Sequence, residues 1–224
     1  MEIEHILPSD IEKRSFEIIR KELAESGKVI PPDIEPTVVR VIHTTADFEY
    51  ADTLMFSRNA IEIARKAITG GACIVSDTNM ALSGINKKSL AKFGGEVYCF
   101  MADEEVAEEA KKRKVTRAYV SMEKAAKMDK KFIFAIGNAP TALIKLKELM
   151  EEGYMPELII GVPVGFVNVV EAKELIIDSG VPYIVNRGRK GGSGVAAAIV
   201  NSILYSVDAT RGAAGADADA NKPS

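Results

Sequence analysis

Histidine is the side chain that titrates near neutrality, and this chain has only two, His5 and His43. His5 lies in the polar opening Met1-Glu2-Ile3-Glu4-His5. His43 lies in Val38-Val39-Arg40-Val41-Ile42-His43-Thr44-Thr45-Ala46-Asp47. Arg40 stands three positions before it and Asp47 four after it. On a helix these positions share a face, so the three make a polar stripe while Val39 and Ile42 point towards a core. A positioned imidazole gives or takes a proton at little cost. Asp47 would favour its charged form and Arg40 would oppose it. A half-buried histidine satisfied by a backbone carbonyl would have the same local sequence. What separates the two readings is whether the chain can hold an anionic substrate over the ring.

Arg187-Gly188-Arg189-Lys190-Gly191-Gly192-Ser193-Gly194 is the stretch best suited to that. Guanidinium groups bind carboxylates with two parallel hydrogen bonds. A Gly-rich loop feeding a helix exposes backbone N–H groups to anions. The loop lacks the phosphate-binding Gly-x4-Gly-Lys-Ser/Thr spacing, and no Gly-x-Gly-x-x-Gly follows the first strand. Nucleotide binding is therefore unsupported. A solvated basic turn with Ser193 as a helix cap fits the same residues. Arg113 and Arg117, taken alone, read as a solvated helical face. Ser15 is a small polar residue on an apolar helix side, suited to packing or to donating a hydroxyl to a ligand.

The elements that must position these groups follow from periodicity. Ser9 to Ser26 has helical spacing, with Ile11, Ser15, Ile18 and Ile19 on one side. Ser9 and Glu12 form a capping-box pattern. A stiff Pro31-Pro32-Asp33 joins it to the His43 segment, and a helix over Ser57 to Thr69 follows. Five short apolar runs come next: Ala72 to Val75, Val97 to Met101, Phe132 to Ile136, Leu158 to Ile160, and Tyr183 to Val185. Continuous rather than alternating runs indicate strands buried on both faces. Helices are expected at Glu104–Lys112, Thr116–Lys127, Thr141–Glu152, Val169–Asp178 and Val195–Tyr205. The alternation predicts a three-layer α/β/α domain, its five-stranded sheet parallel, with the N-terminal helices as additions. Ligands of such sheets bind beyond the carboxyl ends of the strands. That singles out Ser76 to Met80 after the first strand, Gly137 to Thr141 after the third, Gly161 to Phe166 after the fourth and Asn186 to Gly194 after the fifth.

At 224 residues, 47% hydrophobic and 27% charged, the chain suits one large domain, expected over 1–207. The Ala/Asp/Gly stretch 208–224 reads as a low-complexity tail. A net charge of −3 does not favour a nucleic-acid partner, and no apolar run reaches the length of a membrane span. Cys73 and Cys99 lack metal-ligand spacing and read as reduced core residues of a cytoplasmic protein.

These residues carry a resemblance. Ile136-Gly137-Asn138-Ala139-Pro140-Thr141-Ala142-Leu143, Pro163-Val164-Gly165-Phe166-Val167 and Arg187-Gly188-Arg189-Lys190-Gly191-Gly192-Ser193 resemble three long motifs of the precorrin-8X methylmutase family, including its cobalt-precorrin-8 members. His43 falls where that family has its catalytic histidine, and Arg14-Ser15-Phe16 and Thr116-Arg117 also match. The resemblance spans roughly Ser9 to Tyr205. Val170-Glu171-Ala172-Lys173 departs from a frequent Ala-Glu-Ser-Lys, and Asn86 stands where some members have threonine.

The resemblance implies a flavodoxin-like homodimer that moves a methyl group from C-11 to C-12 of a corrin ring in cobalamin biosynthesis. It implies no separate cofactor and no protein metal site, any cobalt arriving inside the substrate. A 1,5-sigmatropic shift needs electron demand on the ring, which protonation by His43 would supply. Arg117, Arg187 and Arg189 would hold peripheral carboxylates, and Met80, Val164 and Phe166 would wall the ring. The expected substrate contacts are Ser15, Arg40, Asp77, Met80, Arg117, Asn138, Thr141, Val164, Phe166, Arg187 and Arg189, with His43 catalytic. A non-catalytic corrinoid or tetrapyrrole carrier and a generic anion-binding α/β isomerase are the alternatives.

Overall fold

All five apolar runs form strands, and a sixth strand that periodicity does not reveal closes one edge of their sheet. The computed structural model describes residues 7–8 and 10–210. In chain order the strands are β1 (Leu54–Phe56), β2 (Cys73–Ser76), β3 (Val97–Tyr98), β4 (Phe132–Ile136), β5 (Leu158–Gly161) and β6 (Tyr183–Asn186). Their order across the sheet is β1-β6-β5-β4-β2-β3. From β6 to β3 every pair is parallel. Counting only those five, the order is that of flavodoxin-like folds, with the switch point between β2 and β4. The expected all-parallel, five-stranded sheet is corrected by β1, which pairs antiparallel with β6, Met55 opposite Val185. Three residues are too few to display a period of two.

Ten described helices of four or more residues flank β1 to β6: α1 (Ile11–Glu25), α2 (Glu35–Thr45), α3 (Tyr50–Thr53), α4 (Ala60–Thr69), α5 (Asn79–Gly84), α6 (Lys87–Ala91), α7 (Glu104–Arg113), α8 (Arg117–Ala126), α9 (Pro140–Glu151) and α10 (Val169–Ile177); α11 (Ser193–Val207) follows β6. Successive strand residues face opposite layers. Ile133 and Ala135 of β4 join a core with α2, α4 and α11. Phe132, Phe134 and Ile136 join a second core with α7 to α10. Each fully buried side chain of this size contributes about 1.5–3 kcal/mol, so the central strands anchor both layers.

α2 packs along α11, where a buried Thr37–Ser202 hydroxyl pair at 2.9 Å crosses the contact. α1 lies outside, against α2. The proposed Ser9 cap lies outside the described residues. The helix expected from Ser57 begins at Ala60, and α3, α5 and α6 were not anticipated. Asp208, assigned from sequence to the tail, is buried and binds Ser89 at 2.8 Å and Lys92 at 2.7 Å. Residues 211–224 lie outside the described part. No helix among the described residues is long and apolar enough to cross a membrane.

Candidate active site

His43 occupies the last turn of α2, and the way that helix ends decides its partners. Ala46 adopts a left-handed conformation (φ 54°) and closes the helix with its N–H on the Ile42 carbonyl at 2.7 Å. This turns the chain before Asp47, so the expected Arg40–His43–Asp47 stripe does not form. Asp47 instead accepts from Lys190 at 2.6 Å and from the Glu49 N–H at 3.0 Å. The hydrogen bond from Lys190, more than any other group, holds its carboxyl below the usual carboxylate range. Arg40 is also committed elsewhere. It pairs with Glu12 at 2.9 Å and lies between the Phe16 and Tyr205 rings, 5.1 and 4.8 Å from their centroids. It locks the α1–α2–α11 junction.

The partner His43 does have is Ser15 of α1, whose Oγ lies 2.7 Å from Nδ1. The edge of Phe16 meets the imidazole, centroids 5.3 Å apart and planes at 87°. A hydroxyl both donates and accepts, so Ser15 can bond the neutral ring or the imidazolium. An ionised carboxylate in its place would bias the ring to the charged form. Nε2 has no protein partner among the described residues, and the side chain is exposed. It lies at a cleft of roughly 350 Å³ whose walls include Ile11, Ile18, Ile42 and Phe48. Ser15, expected to touch substrate, lines this cleft and holds the imidazole.

The carboxyl ends of the strands form the second part of the site. At the switch point Asp77 is fully buried and accepts from the N–H groups of Gly137, Asn138 and Ala139 at 2.6–2.8 Å. It caps α9 from another strand, because Ala139 at the cap position has no side-chain oxygen. Burial pushes its carboxyl up while these three N–H groups oppose the rise. Asp77 has no surface to offer a ligand, so its expected contact role is replaced by that of a brace for the Asn138 loop. Around it, Asn138 and Met80 are exposed. Thr141 bonds Thr116 at 2.7 Å, joining the starts of α8 and α9. Arg117 opens α8, with a long 3.4 Å contact to the Met101 carbonyl.

The basic loop after β6 runs back across these ends. Gly192 N–H bonds the Val162 carbonyl at 2.9 Å, and Ser193 bonds Thr78 at 2.8 Å. A Cβ at Gly191 would run into the Val162 carbonyl, and one at Gly137 would come within 2.7 Å of Ser193 Cα. Glycine is required at both close approaches. Arg189 lies over the exposed Phe166 ring at 5.4 Å, beside the exposed Val164. Arg187 pairs with Glu174 at 3.2 Å. Lys190 reaches Asp47 and Glu49, and Gly194 lies beside Thr44, so the loop is tied to the segment that carries His43.

Expected contacts thus fall into three groups: Met80, Arg117, Asn138 and Thr141 at the switch point, Val164, Phe166 and Arg189 on a ledge beside it, and His43 with Ser15 on the flank. Arg40, Asp77 and Arg187 are engaged by protein partners. Sequence reasoning missed Lys173. It is fully buried and donates to the Gly188 and Lys190 carbonyls at 2.7 and 2.8 Å, and burial lowers its ammonium to about 8. The signal was present, since Lys173 sits on the buried face of α10 with Val169, Ala172 and Ile176. Asn186 opens the exit of the last strand that the sequence singles out, but its role was not foreseen. It takes the Thr53 hydroxyl at 2.7 Å and donates to the Arg187 and Lys190 carbonyls.

The precorrin-8X methylmutase family profile matches residues 10–206. A cobalt-precorrin-8 methylmutase of Priestia megaterium is 45% identical over 91% of this chain and 90% of its own. A precorrin-8X methylmutase of Pseudomonas aeruginosa is 40% identical over 86% and 93%. The solved precorrin-8X methylmutase of Thermus thermophilus superposes with a TM-score of 0.79 at 39% identity, over 88% of this chain and 97% of that one. Matched by the family profile over residues 10–206 and by these proteins over nearly its whole length, the chain belongs to the precorrin-8X methylmutase family, isomerases that catalyse a methyl migration.

Proposed function

We propose that the chain moves a methyl group from C-11 to C-12 of cobalt-precorrin-8, with His43 as the acid. The observation that carries this is the Ser15–His43 pair. The hydroxyl fixes the ring at Nδ1 and leaves Nε2 open at a mostly apolar cleft. A proton or strong hydrogen bond from Nε2 draws electron density from the conjugated ring. The bond from C-11 to the methyl then breaks as the bond to C-12 forms, and the composition of the substrate is unchanged. Donor and acceptor carbons belong to one molecule, so the reaction calls for no methyl donor and no separate cofactor; cobalt is part of the substrate. The cobalt form is favoured because similar proteins in Priestia megaterium and Salmonella typhimurium are named for it.

Orientation comes from the periphery. Arg117, Arg189 and, on release from Glu174, Arg187 bind the ring's carboxylates. An exposed ion pair such as Arg187–Glu174 is worth about 0–1 kcal/mol, so exchanging it for a substrate carboxylate costs little. Anchoring the rim fixes the ring against His43. A second copy covers the cleft, because Ile11 and Ile18 leave 54% and 40% of their surface exposed there; the active form is a homodimer. Two free cysteines suit a reducing cytoplasm.

The test is incubation of the protein with cobalt-precorrin-8 and, separately, with metal-free precorrin-8, followed by absorption spectroscopy. Turnover of the cobalt form is expected. Binding of either ring with no spectral conversion identifies a carrier instead.

A further inference from the structure

Lys173 is a fully buried ammonium with no acidic partner among the described residues, and the mechanism above does not use it. Unpaired buried lysines are rare because desolvation is costly. Its two hydrogen bonds both go to backbone carbonyls of one loop, those of Gly188 and Lys190. Asn186 takes the carbonyl of Arg187 and shares that of Lys190. Three carbonyls of the loop are thereby drawn inward.

A trans peptide unit is planar, and its C=O and N–H point in opposite directions. Drawing in the carbonyls of Arg187, Gly188 and Lys190 turns the N–H groups of Gly188, Arg189 and Gly191 outward. None of these three N–H groups has a protein acceptor among the described residues. Gly188 and Gly191 take positive φ values of 77° and 157°, open to glycine and of the kind that lets neighbouring N–H groups serve one anion. Of the loop's own cations, Arg187 is balanced by Glu174 and Lys190 by Asp47 and Glu49, while Arg189 lies exposed over Phe166. Lys173 is the unbalanced positive group behind the nest.

We propose that the Gly188, Arg189 and Gly191 N–H groups form a backbone cradle for a carboxylate, with Lys173 as its positioning residue. The choice of a carboxylate over another anion rests on the functional reading above; the geometry of the cradle does not. Substrate grip at this loop then comes from the main chain, with arginine side chains supplementing it.

The experiment uses the full ¹⁵N-labelled chain and sodium propionate, against sodium chloride at equal ionic strength. The amide signals of Gly188, Arg189 and Gly191 are expected to shift saturably with propionate and not with chloride. Lys173→Met should bind propionate at least tenfold more weakly. Lys173→Gln, which keeps N–H donors without the charge, should recover part of that loss. No saturable shift in the parent overturns the cradle, and this needs no variant to fold. Inorganic phosphate moving these amides where propionate does not overturns the carboxylate assignment. Lys173→Met within twofold of the parent, or Lys173→Gln no better than Lys173→Met, overturns the role of Lys173. No corrinoid is present, so a failure here is separate from a failure of turnover on cobalt-precorrin-8.

Discussion

The corner that holds His43 and the floor that holds the loops use opposite means of fixing polar groups. On the floor, Asp77 and Lys173 are fully buried and each spends itself on backbone: one takes three N–H groups, the other gives to two carbonyls. At the corner, an exposed imidazole is held by one neutral hydroxyl. A buried charge with several fixed partners gives rigidity, because losing it strands those partners. A hydroxyl leaves the ring able to change its charge. The exposed imidazole is thus separated from the buried groups that brace the loops.

Removing His43 should break this contrast most sharply. His43→Ala is expected to lower turnover by about 10²–10⁴-fold while the ring ligand still binds. Near-normal single-turnover rates in that variant would take the imidazole out of the mechanism. Asp77→Ala should act on stability instead. It leaves three N–H groups, that of Gly137 buried, without their acceptor and should lower unfolding free energy by about 2–5 kcal/mol, read by urea denaturation. A loss below about 1 kcal/mol would mean the loop does not depend on the brace.

The floor also has a pH signature. Lys173 gives up its proton at about 8 in the folded chain, while the unfolded chain keeps it up to the ordinary value of 10.5. Between these values the unfolded state binds more protons, so stability rises with pH across that window. The gain is on the order of 3 kcal/mol. Comparing pH-dependent unfolding of the parent and Lys173→Met checks it, since the variant should lack this component.

The smallest expected effects sharpen the role of the arginines. Arg187→Ala should weaken corrinoid binding by about 1.5–3 kcal/mol if one charged contact is lost. Glu174→Gln, which frees Arg187, should tighten binding by up to about 1 kcal/mol. If neither change moves the affinity measured by titration, Arg187 stays with α10 and the ledge works without it.

The parallel core and its motif loops were legible because their strands are continuous apolar runs and their turns are marked by glycine and proline. β1 was not, because Leu54–Phe56 gives no period and its partner β6 lies far along the chain. The Asp47 error has a different source. A helical stripe assumes the helix continues, and alanine gives no stop signal of the kind that glycine or asparagine does, yet Ala46 stops it. Ser15 was legible as an oddity on an apolar face, but its partner was not, since no spacing rule joins α1 to α2. Lys173 was hidden by the habit of reading lysine as surface.

Joining its first strand to its last gives this chain a particular order of assembly. Among the described residues β1 pairs with β6 alone, and α2 packs along α11, so neither contact can form until β6 and α11 have left the ribosome. The parallel strands β2 to β5 can pair before then. Long-range pairing of this kind is slow, and until it happens the part of α2 that meets α11 has no cover. His43 rides on α2 and is therefore seated among the last groups in the fold. A chain stopped short of α11 should retain much of the central sheet but leave the His43 corner unassembled. In limited proteolysis of such a chain, cleavage should begin between α1 and β1.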